Sequence, residues 1–345
     1  MQLNSSIKQL LREGAFIPAH PLALTKDLKL DAARQKGLTN YYIGSGVDGV
    51  AVAVHTTQFE IRDPRHALLE PVLALAAETI GQAGKSSDNF IKVAGICGPT
   101  AQAVKEAELA VKYGYQLGLV SNGGLNDWSN EQLLERIRAI AEVIPVFGFY
   151  LQPAVGGRLL DIDFWRAFAE IANVEAIKVA SFNRYQTLDV VKAVCQSSRR
   201  DQIDLYTGND DNIVADLLTP YRIPVDGAIV EKSFVGGLLG HWSVWTAAAV
   251  RYFREIQAYR RDGTGSLEKL LALNISVTDL NQALFDPEHG FKGSIAGIHE
   301  VLRRDGLLDG LWCLNPNEVL SEGQIDALDR VITAYPSLIS KKVGY

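Results

Sequence analysis

The sequence predicts an α/β fold, a (β/α)8 barrel followed by additional helices, and two observations support this prediction. Short apolar segments alternate with amphipathic segments along most of the 345 residues. The apolar segments are continuous, which is typical of parallel strands buried on both faces. Repeated strand–helix units over about 250 residues match the size of a closed eight-stranded barrel. An open doubly wound sheet is the alternative, but the first βα turn lacks a glycine-rich phosphate loop.

Eight segments have the length and apolar character of buried strands. They are residues 15–19, 49–54, 90–94, 117–120, 146–151, 174–179, 203–207 and 227–230. Helical patterns lie between them, at residues 65–83, 100–113, 131–143, 161–171 and 187–195. Ser129 and Asp161 precede two of these patterns and are typical helix N-caps. The chain is mostly helical after Trp245, so we expect a barrel over residues 1–250 and a helical extension over residues 251–345, packed together as one structural unit.

The composition limits which binding partners and which cellular compartment we expect. The net charge is −6 and no dense basic run is present, so nucleic acid and anionic membranes are poor candidates as partners. No apolar run reaches the roughly 18 residues that a membrane-spanning helix needs. The cysteines, Cys97, Cys195 and Cys313, are odd in number and widely spaced, which argues against a disulfide framework. We therefore expect a cytoplasmic protein, and the polar N-terminal segment lacks the apolar core of a signal peptide.

In a barrel of this type the chemistry takes place at the C-terminal ends of the strands. Lys178 lies late in the sixth predicted strand, within an apolar run. Burial lowers the pKa of a lysine, and a neutral amine can add to a ketone to form an imine. Lys92 lies in nearly the same tetrapeptide but early in its strand, so strand position alone separates the two lysines. A lysine that leaves its strand for solvent is the alternative interpretation of Lys178.

Other polar side chains follow predicted strands. The Tyr150 phenol could relay protons, or it could be a core tyrosine whose hydroxyl binds backbone. Thr56 and Thr57 follow the second strand, where paired hydroxyls can hold a carboxylate. The histidines do not have the spacing of a metal site, so we expect neither a metal nor a cofactor.

Four segments in order resemble the dihydrodipicolinate synthase and N-acetylneuraminate lyase family. The segment from Gly49 to Glu60 resembles the strand that ends in the family's threonine pair. Tyr150 to Ala154 resembles its Tyr-Asn-x-Pro segment, and Ile177 to Ser181 resembles its Schiff-base segment. The segment from Leu205 to Asp211 is similar to the family's Gly-x-Asp-Asp/Glu turn. The similarity extends over residues 14–335.

The resemblance implies a function and roles for individual residues. Members are aldolases and lyases that act on pyruvate or a related 2-oxo acid, commonly as homotetramers, so we expect a homo-oligomer, tetramer or dimer. Lys178 would form the imine, Tyr150 would move the proton, and Thr56 and Thr57 would hold the carboxylate. The remaining expected contacts with the substrate are the Ile229 backbone carbonyl, Gly208, Asn209, Asp210, Asp211 and Glu231.

Departures from the family pattern limit the choice of substrate. His55 and Gln58 replace the glycines that flank the threonine pair, and Val155 stands where the synthases carry an arginine. An acidic distal wall without that arginine would disfavour a second carboxylate and favour an uncharged or hydroxylated partner. Dehydration of a sugar acid through the same imine is an alternative. A non-catalytic sensor that binds a sugar acid is a further alternative.

Overall fold

The computed structural model describes residues 1–339, which form a closed parallel barrel surrounded by helices. Within these residues the strands are β1 Phe16–Pro18, β2 Gly49–Val52, β3 Ile91–Ile96, β4 Leu117–Val120, β5 Val146–Leu151, β6 Val174–Ala180, β7 Asp204–Thr207, β8 Tyr221–Val225, β9 Ala228–Lys232 and β10 Phe234–Leu239. The barrel order is β1-β10-β7-β6-β5-β4-β3-β2. A parallel bridge between Ala19 and Ala51 closes the ring beside β1 and β2. The predicted (β/α)8 fold is therefore confirmed.

The helices of the described residues alternate with the barrel strands and then continue beyond them. They are α1 Ser5–Glu13, α2 Ala32–Gly44, α3 Leu69–Gln82, α4 Thr100–Lys112, α5 Asn130–Val143, α6 Ile162–Ala169, α7 Arg184–Gln196, α8 Ile213–Leu218, α9 Thr246–Asp262, α10 Leu267–Phe285, α11 Ser294–Arg304 and α12 Gln324–Ala334. Short 3-10 turns occur at His55–Thr57, Phe59–Arg62, Pro153–Val155, His241–Ser243 and Pro287–His289. None of the helices in residues 1–339 is long and apolar enough to cross a membrane.

The two predicted caps form as expected. The Ser129 hydroxyl accepts a hydrogen bond from the Gln132 backbone N–H, and the Gln132 side chain accepts one from the Ser129 N–H. This reciprocal pair satisfies two backbone donors that would otherwise lack an intrahelical partner. The Asp161 carboxylate accepts from the Phe164 N–H at the start of α6. These caps fix where two of the outer helices begin.

Side chains of the strands alternate between the barrel interior and the surrounding helices. In β5, Phe147, Phe149 and Leu151 belong to the interior cluster, while Tyr150 packs in the outer cluster with the helices. In β6, Ala176 and Ala180 point inward and Ile177 and Val179 point outward. This period of two decides which polar residues of a strand can reach a common cavity.

The predicted position of the eighth barrel strand was wrong. Residues 227–230 lie in an antiparallel hairpin formed by β8 and β9, outside the barrel. The eighth barrel strand is β10, which pairs with β7 and β1. A Cβ added at Gly236 would lie 2.5 Å from the Ala15 carbonyl oxygen and 2.7 Å from the Tyr206 ring. The strand must therefore carry glycine there, and glycine made its sequence look less like a strand than the apolar run in the hairpin.

The C-terminal helices approach the end of the barrel where the strands terminate. The expected barrel limit at residue 250 falls inside α9, which packs on β1. α10 contacts α8, α11 and α12. Phe285 at the end of α10 lies against Gly240, the residue that follows β10. Side chains of this helical region therefore reach the mouth of the barrel.

Candidate active site

A pocket at the C-terminal end of the barrel contains the Lys178 side chain. The pocket holds about 550 Å³ of space, part of it open to solvent. Lys178 extends from β6 into the barrel interior and is 7% exposed. Its Nζ lies 4.4 Å from the centroid of the Phe149 ring on the neighbouring strand. Burial lowers the pKa of Lys178, and the nearby Asp210 carboxylate opposes that shift.

Lys92 takes the opposite orientation and provides an internal comparison. Its Nζ lies 3.5 Å from the Tyr113 carbonyl oxygen and 5.8 Å from the Tyr115 ring, on the helix side of β3. It is not among the residues that line the pocket. Lys92, early in its strand, therefore points to the helix side of the sheet, whereas Lys178, late in its strand, points into the barrel.

Asp210 is the acidic group that faces Lys178. One carboxylate oxygen accepts a hydrogen bond from the His241 backbone N–H at 3.0 Å. The Asp210 backbone carbonyl accepts from Asn281 Nδ2 at 2.5 Å. Burial raises the pKa of Asp210, whereas the His241 hydrogen bond and the charge of Lys178 lower it. The pair can therefore exist as two ions or as a neutral acid beside a neutral amine.

Gly208 provides the room that the lysine needs. A Cβ at this position would lie 2.4 Å from Lys178 Cε and 2.8 Å from Ala180 Cβ. Asn209, the next residue, is fully buried and holds the turn: its side chain accepts from the Phe182 N–H and donates to Asp216. Asp211 is exposed in a neighbouring groove. Of the predicted turn residues, Gly208 and Asp210 line the lysine pocket and the other two do not.

His55 and Thr56 line the pocket on the side of β2. Burial, and secondly the charge of Lys178, lower the pKa of His55 to about 4, so the imidazole is neutral near pH 7. Thr56 Oγ1 lies 3.3 Å from the His20 carbonyl oxygen. Thr57 lies behind this wall, where its hydroxyl donates to the same oxygen at 2.6 Å and accepts from the Val54 N–H. The paired hydroxyls expected from the sequence are thus divided between pocket and core.

Tyr150 matches the second interpretation given from the sequence, a core tyrosine whose hydroxyl binds backbone, and it does not line the pocket. The Tyr150 ring is 1% exposed and packs against Trp165 of α6, with the ring centroids 5.2 Å apart. Its hydroxyl donates to the Leu160 carbonyl oxygen at 3.2 Å and accepts from the Leu160 N–H at 3.3 Å. Phe149, one residue earlier, is the register partner of Lys178. Tyr150 therefore lies on the outer face of β5, and its hydroxyl stabilises the loop that leads to α6.

The positions predicted at the end of the eighth strand are also corrected. Ile229 is 63% exposed on the hairpin. Glu231 forms an exposed ion pair with Arg222 across that hairpin, at 3.1 Å. Lys232 donates to the Arg200 carbonyl oxygen. None of these side chains lines the pocket, because the strand that ends there is β10 and not the segment that contains them.

Three aromatic residues that were not predicted from the sequence form the outer wall. Phe182 follows β6, Phe285 ends α10 and Phe291 precedes α11. The rings of Phe182 and Phe291 meet edge to face, with centroids 5.6 Å apart. Phe149, a further aromatic residue of the pocket, could have been assigned to the barrel interior from the alternation of β5. Phe285 and Phe291 could not, because nothing in their local sequence links them to the end of a distant strand.

No group of three or more His, Cys, Asp or Glu side chains arranged to hold a metal occurs within residues 1–339. The pocket combines a buried amine, a carboxyl group and a neutral imidazole with the hydroxyls of Thr56 and Ser294 and the amide of Gln152, and the rest of its lining is apolar. The fold and this set of groups define a (β/α)8 barrel protein with a buried lysine in a pocket at the C-terminal ends of its strands.

The family model described as the dihydrodipicolinate synthetase family matches residues 15–335. The chain belongs to this family. It is 27% identical over 195 residues to a 4-hydroxy-tetrahydrodipicolinate synthase of Clostridium novyi, a match that covers 55% of this chain and 60% of that protein. Less than two thirds of the relative's length is therefore matched.

Solved structures of low sequence identity share the fold. Dihydrodipicolinate synthase from Oceanobacillus iheyensis superposes with a TM-score of 0.75 at 14% identity, over 96% of this chain and 99% of that one. N-acetylneuraminate lyase from Mycoplasma synoviae gives a TM-score of 0.70 at 18% identity, over 96% and 100%.

Proposed function

We propose that this protein is a Schiff-base-forming lyase, an aldolase that joins or separates a 2-oxo acid such as pyruvate and a carbonyl compound. The observation that carries the proposal is the buried Lys178 amine in an apolar pocket beside Asp210. Family membership supports the same chemistry. The names of the related proteins set an expectation for the reaction class and do not fix the substrate.

Lys178 would supply the nucleophile. Its lowered pKa leaves more of the amine neutral at neutral pH than an exposed lysine would have. The neutral amine adds to the ketone carbon of the 2-oxo acid, and loss of water gives an imine. The imine withdraws electrons from the adjacent carbon, so that carbon can lose a proton or exchange a carbon–carbon bond.

Asp210 would move the protons. As the neutral acid it donates a proton to the departing hydroxyl when the imine forms. As the carboxylate it removes a proton from the carbon next to the imine, which gives the enamine. Its raised pKa suits both roles near neutral pH. The hydrogen bond from the His241 N–H fixes the carboxyl group in place.

His55 and Thr56 would bind the carboxylate of the 2-oxo acid. Both line the pocket. The neutral imidazole N–H can donate one hydrogen bond, and the Thr56 hydroxyl can donate one by turning away from the His20 carbonyl oxygen, to which it donates at 3.3 Å. A neutral imidazole beside a lysine avoids the like-charge repulsion that an imidazolium would add.

Dehydration of a sugar acid through the same imine is a second reaction that Lys178 and Asp210 could carry out. Its product differs, because a hydroxyl group leaves the substrate and no carbon–carbon bond changes. A non-catalytic sensor would bind the 2-oxo acid without turnover. Assays of pyruvate release, of water loss and of binding separate the three functions.

The experiment that tests the proposal is reductive trapping. The protein is incubated with pyruvate and sodium borohydride, and its intact mass is measured. We expect one covalent pyruvate-derived adduct per chain. An unchanged mass under conditions that trap an authentic pyruvate aldolase would contradict the proposal. We further propose a homo-oligomer, tetramer or dimer, which light scattering of the purified protein measures directly.

A further inference from the structure

The outer half of the Lys178 pocket is apolar and aromatic. Phe182, Phe285 and Phe291 come from three separate segments and converge above the pocket. A neighbouring groove shares these three rings with the pocket. The other residues that line it are Asp210, Asp211, Thr278, Asn281, Gln282 and Pro287. The pocket therefore has a polar inner end, at the lysine, and an aromatic outer end.

The rings are held in place by the surrounding chain. Phe285 is buried and packs over Gly240, where a Cβ would lie 3.1 Å from the ring. Phe182 and Phe291 meet edge to face. Ordered rings in this arrangement present faces and edges that favour contact with another flat ring. Little side-chain entropy is lost when such a wall binds a ligand, since packing already restricts the rings.

Most of the surface exposed at this end is apolar, although Gln152 lines the pocket and Asp211 lines the groove. Val155 and Leu151 complete the wall. Arg158 is close to Val155 in sequence but does not line the pocket, because its guanidinium donates hydrogen bonds to the Leu125 and Trp128 carbonyl oxygens. The Ser294 hydroxyl lines the pocket, and no protein group within residues 1–339 forms a hydrogen bond with its Oγ. Because aromatic and aliphatic side chains contribute most of the exposed surface here, a polyhydroxylated substrate would place several of its hydroxyls against carbon, and each buried polar group that lacks a partner weakens binding.

We infer that the second reactant is a flat, apolar carbonyl compound, an aryl aldehyde, whose ring lies among Phe182, Phe285 and Phe291 while its carbonyl carbon faces the imine on Lys178. The inference rests on the proposed function of Lys178. It replaces the expectation of a hydroxylated partner, which relied on Asp210, Asp211 and Glu231 at the distal wall. Glu231 lies on the outer hairpin, and the aromatic rings, not the two aspartates, contribute most of the exposed surface.

The reaction balances without an oxidant, a reductant or a further reactant. The C3 carbon of the pyruvate enamine attacks the aldehyde carbon, and a carbon–carbon bond forms as the carbonyl π bond breaks. The aldehyde oxygen gains the proton that C3 lost. Water then hydrolyses the imine, which releases a 4-hydroxy-4-aryl-2-oxo acid and restores Lys178. Cleavage is the same sequence in reverse.

The test compares three aldehydes with about the same number of non-hydrogen atoms. Initial rates of pyruvate consumption are measured with benzaldehyde, erythrose and aspartate semialdehyde. We expect kcat/KM for benzaldehyde to exceed both others by about tenfold or more, the lower range of discrimination that a hydrophobic pocket achieves. An equal or higher value for erythrose or for the semialdehyde would overturn the inference.

Substitutions of Phe291 test whether the aromatic wall causes the preference for benzaldehyde. Phe291→Ser should reduce the preference for benzaldehyde over erythrose several-fold. Phe291→Leu should give a smaller reduction, and it serves in place of the serine variant if that variant does not fold. Tyr185→Ser, at an exposed aromatic residue of α7, is the control and should leave the preference unchanged. A preference that survives both substitutions of Phe291 would contradict the assignment of the ring site.

Failure of this inference and failure of the proposed function give different results. If pyruvate is not trapped on Lys178, the proposed function is wrong. If pyruvate is trapped but benzaldehyde causes no consumption of pyruvate, the lysine chemistry stands and the aryl aldehyde is excluded.

Discussion

Lys178 and Phe149 are register partners on adjacent parallel strands, and the lysine Nζ lies 4.4 Å from the centroid of the phenylalanine ring. This pairing places both side chains inside the barrel. Because successive residues of a strand point to opposite faces, it also directs Tyr150 outward. One register therefore accounts for the apolar environment of the amine and for the absence of the phenol from the pocket.

The position of Tyr150 predicts a structural effect and not a catalytic one. Tyr150→Phe removes a hydroxyl that both donates to and accepts from Leu160. We expect the free energy of unfolding to fall by about 1 kcal/mol, the usual net value of such a hydrogen bond. Turnover should stay close to that of the parent. Denaturant unfolding and steady-state kinetics check the two parts, and a loss of about a hundredfold in kcat with unchanged stability would show that the phenol reaches the substrate.

Asp210 should control both proton transfer and the ionisation of Lys178. Asp210→Asn keeps an oxygen for the His241 N–H but cannot carry the proton. We expect kcat to fall by about 10²- to 10⁴-fold, the typical value of general acid–base catalysis. The carboxylate raises the pKa of Lys178, so its removal should move the pH midpoint of reductive trapping to a lower pH. Both midpoints should lie below about 10.4, the ordinary value for lysine.

Two results would argue against this role of Asp210. One is a variant that retains the parent kcat. The other is a trapping midpoint that moves to higher pH in Asp210→Asn, since that shift would mean that the carboxylate does not stabilise the charged amine.

Gly208 should be essential because of the space it leaves. Gly208→Ala places a Cβ 2.4 Å from Lys178 Cε, so the lysine side chain must move. We expect the rate of reductive trapping to fall by about tenfold or more, since small displacements of reacting groups are costly. Gly37→Ala is the control: no atom lies within 4 Å of its added Cβ, and alanine is favoured within a helix. A trapping rate in Gly208→Ala equal to that in Gly37→Ala would show that the close approach does not position the amine.

Much of the fold follows from the sequence because buried parallel strands carry a strong local signal. Seven of the eight predicted strand segments overlap observed barrel strands, and the caps at Ser129 and Asp161 form as predicted. The eighth segment failed for a physical reason. β10 needs glycine where it approaches Ala15 and Tyr206, while the exposed β9 begins with an apolar run, Ala228 to Val230, that is typical of a buried strand.

The site was less accessible to sequence reasoning than the fold. Strand position placed Lys178 at the C-terminal end of the barrel, but the sequence does not specify the pairing register of β5 and β6. That register decides which of Phe149 and Tyr150 faces inward. Phe285 and Phe291 reach the pocket through the packing of α10 and α11, which only the tertiary structure defines.

Reductive trapping followed by peptide mapping tests the central claim most directly. The parent protein, Lys178→Ala and Lys92→Ala are each incubated with pyruvate and borohydride, digested and analysed by mass spectrometry. We predict that the parent and Lys92→Ala carry the pyruvate-derived adduct on the peptide that contains Lys178, and that Lys178→Ala carries none. An adduct that persists in a folded Lys178→Ala protein, or that maps to another lysine in the parent, would contradict the account.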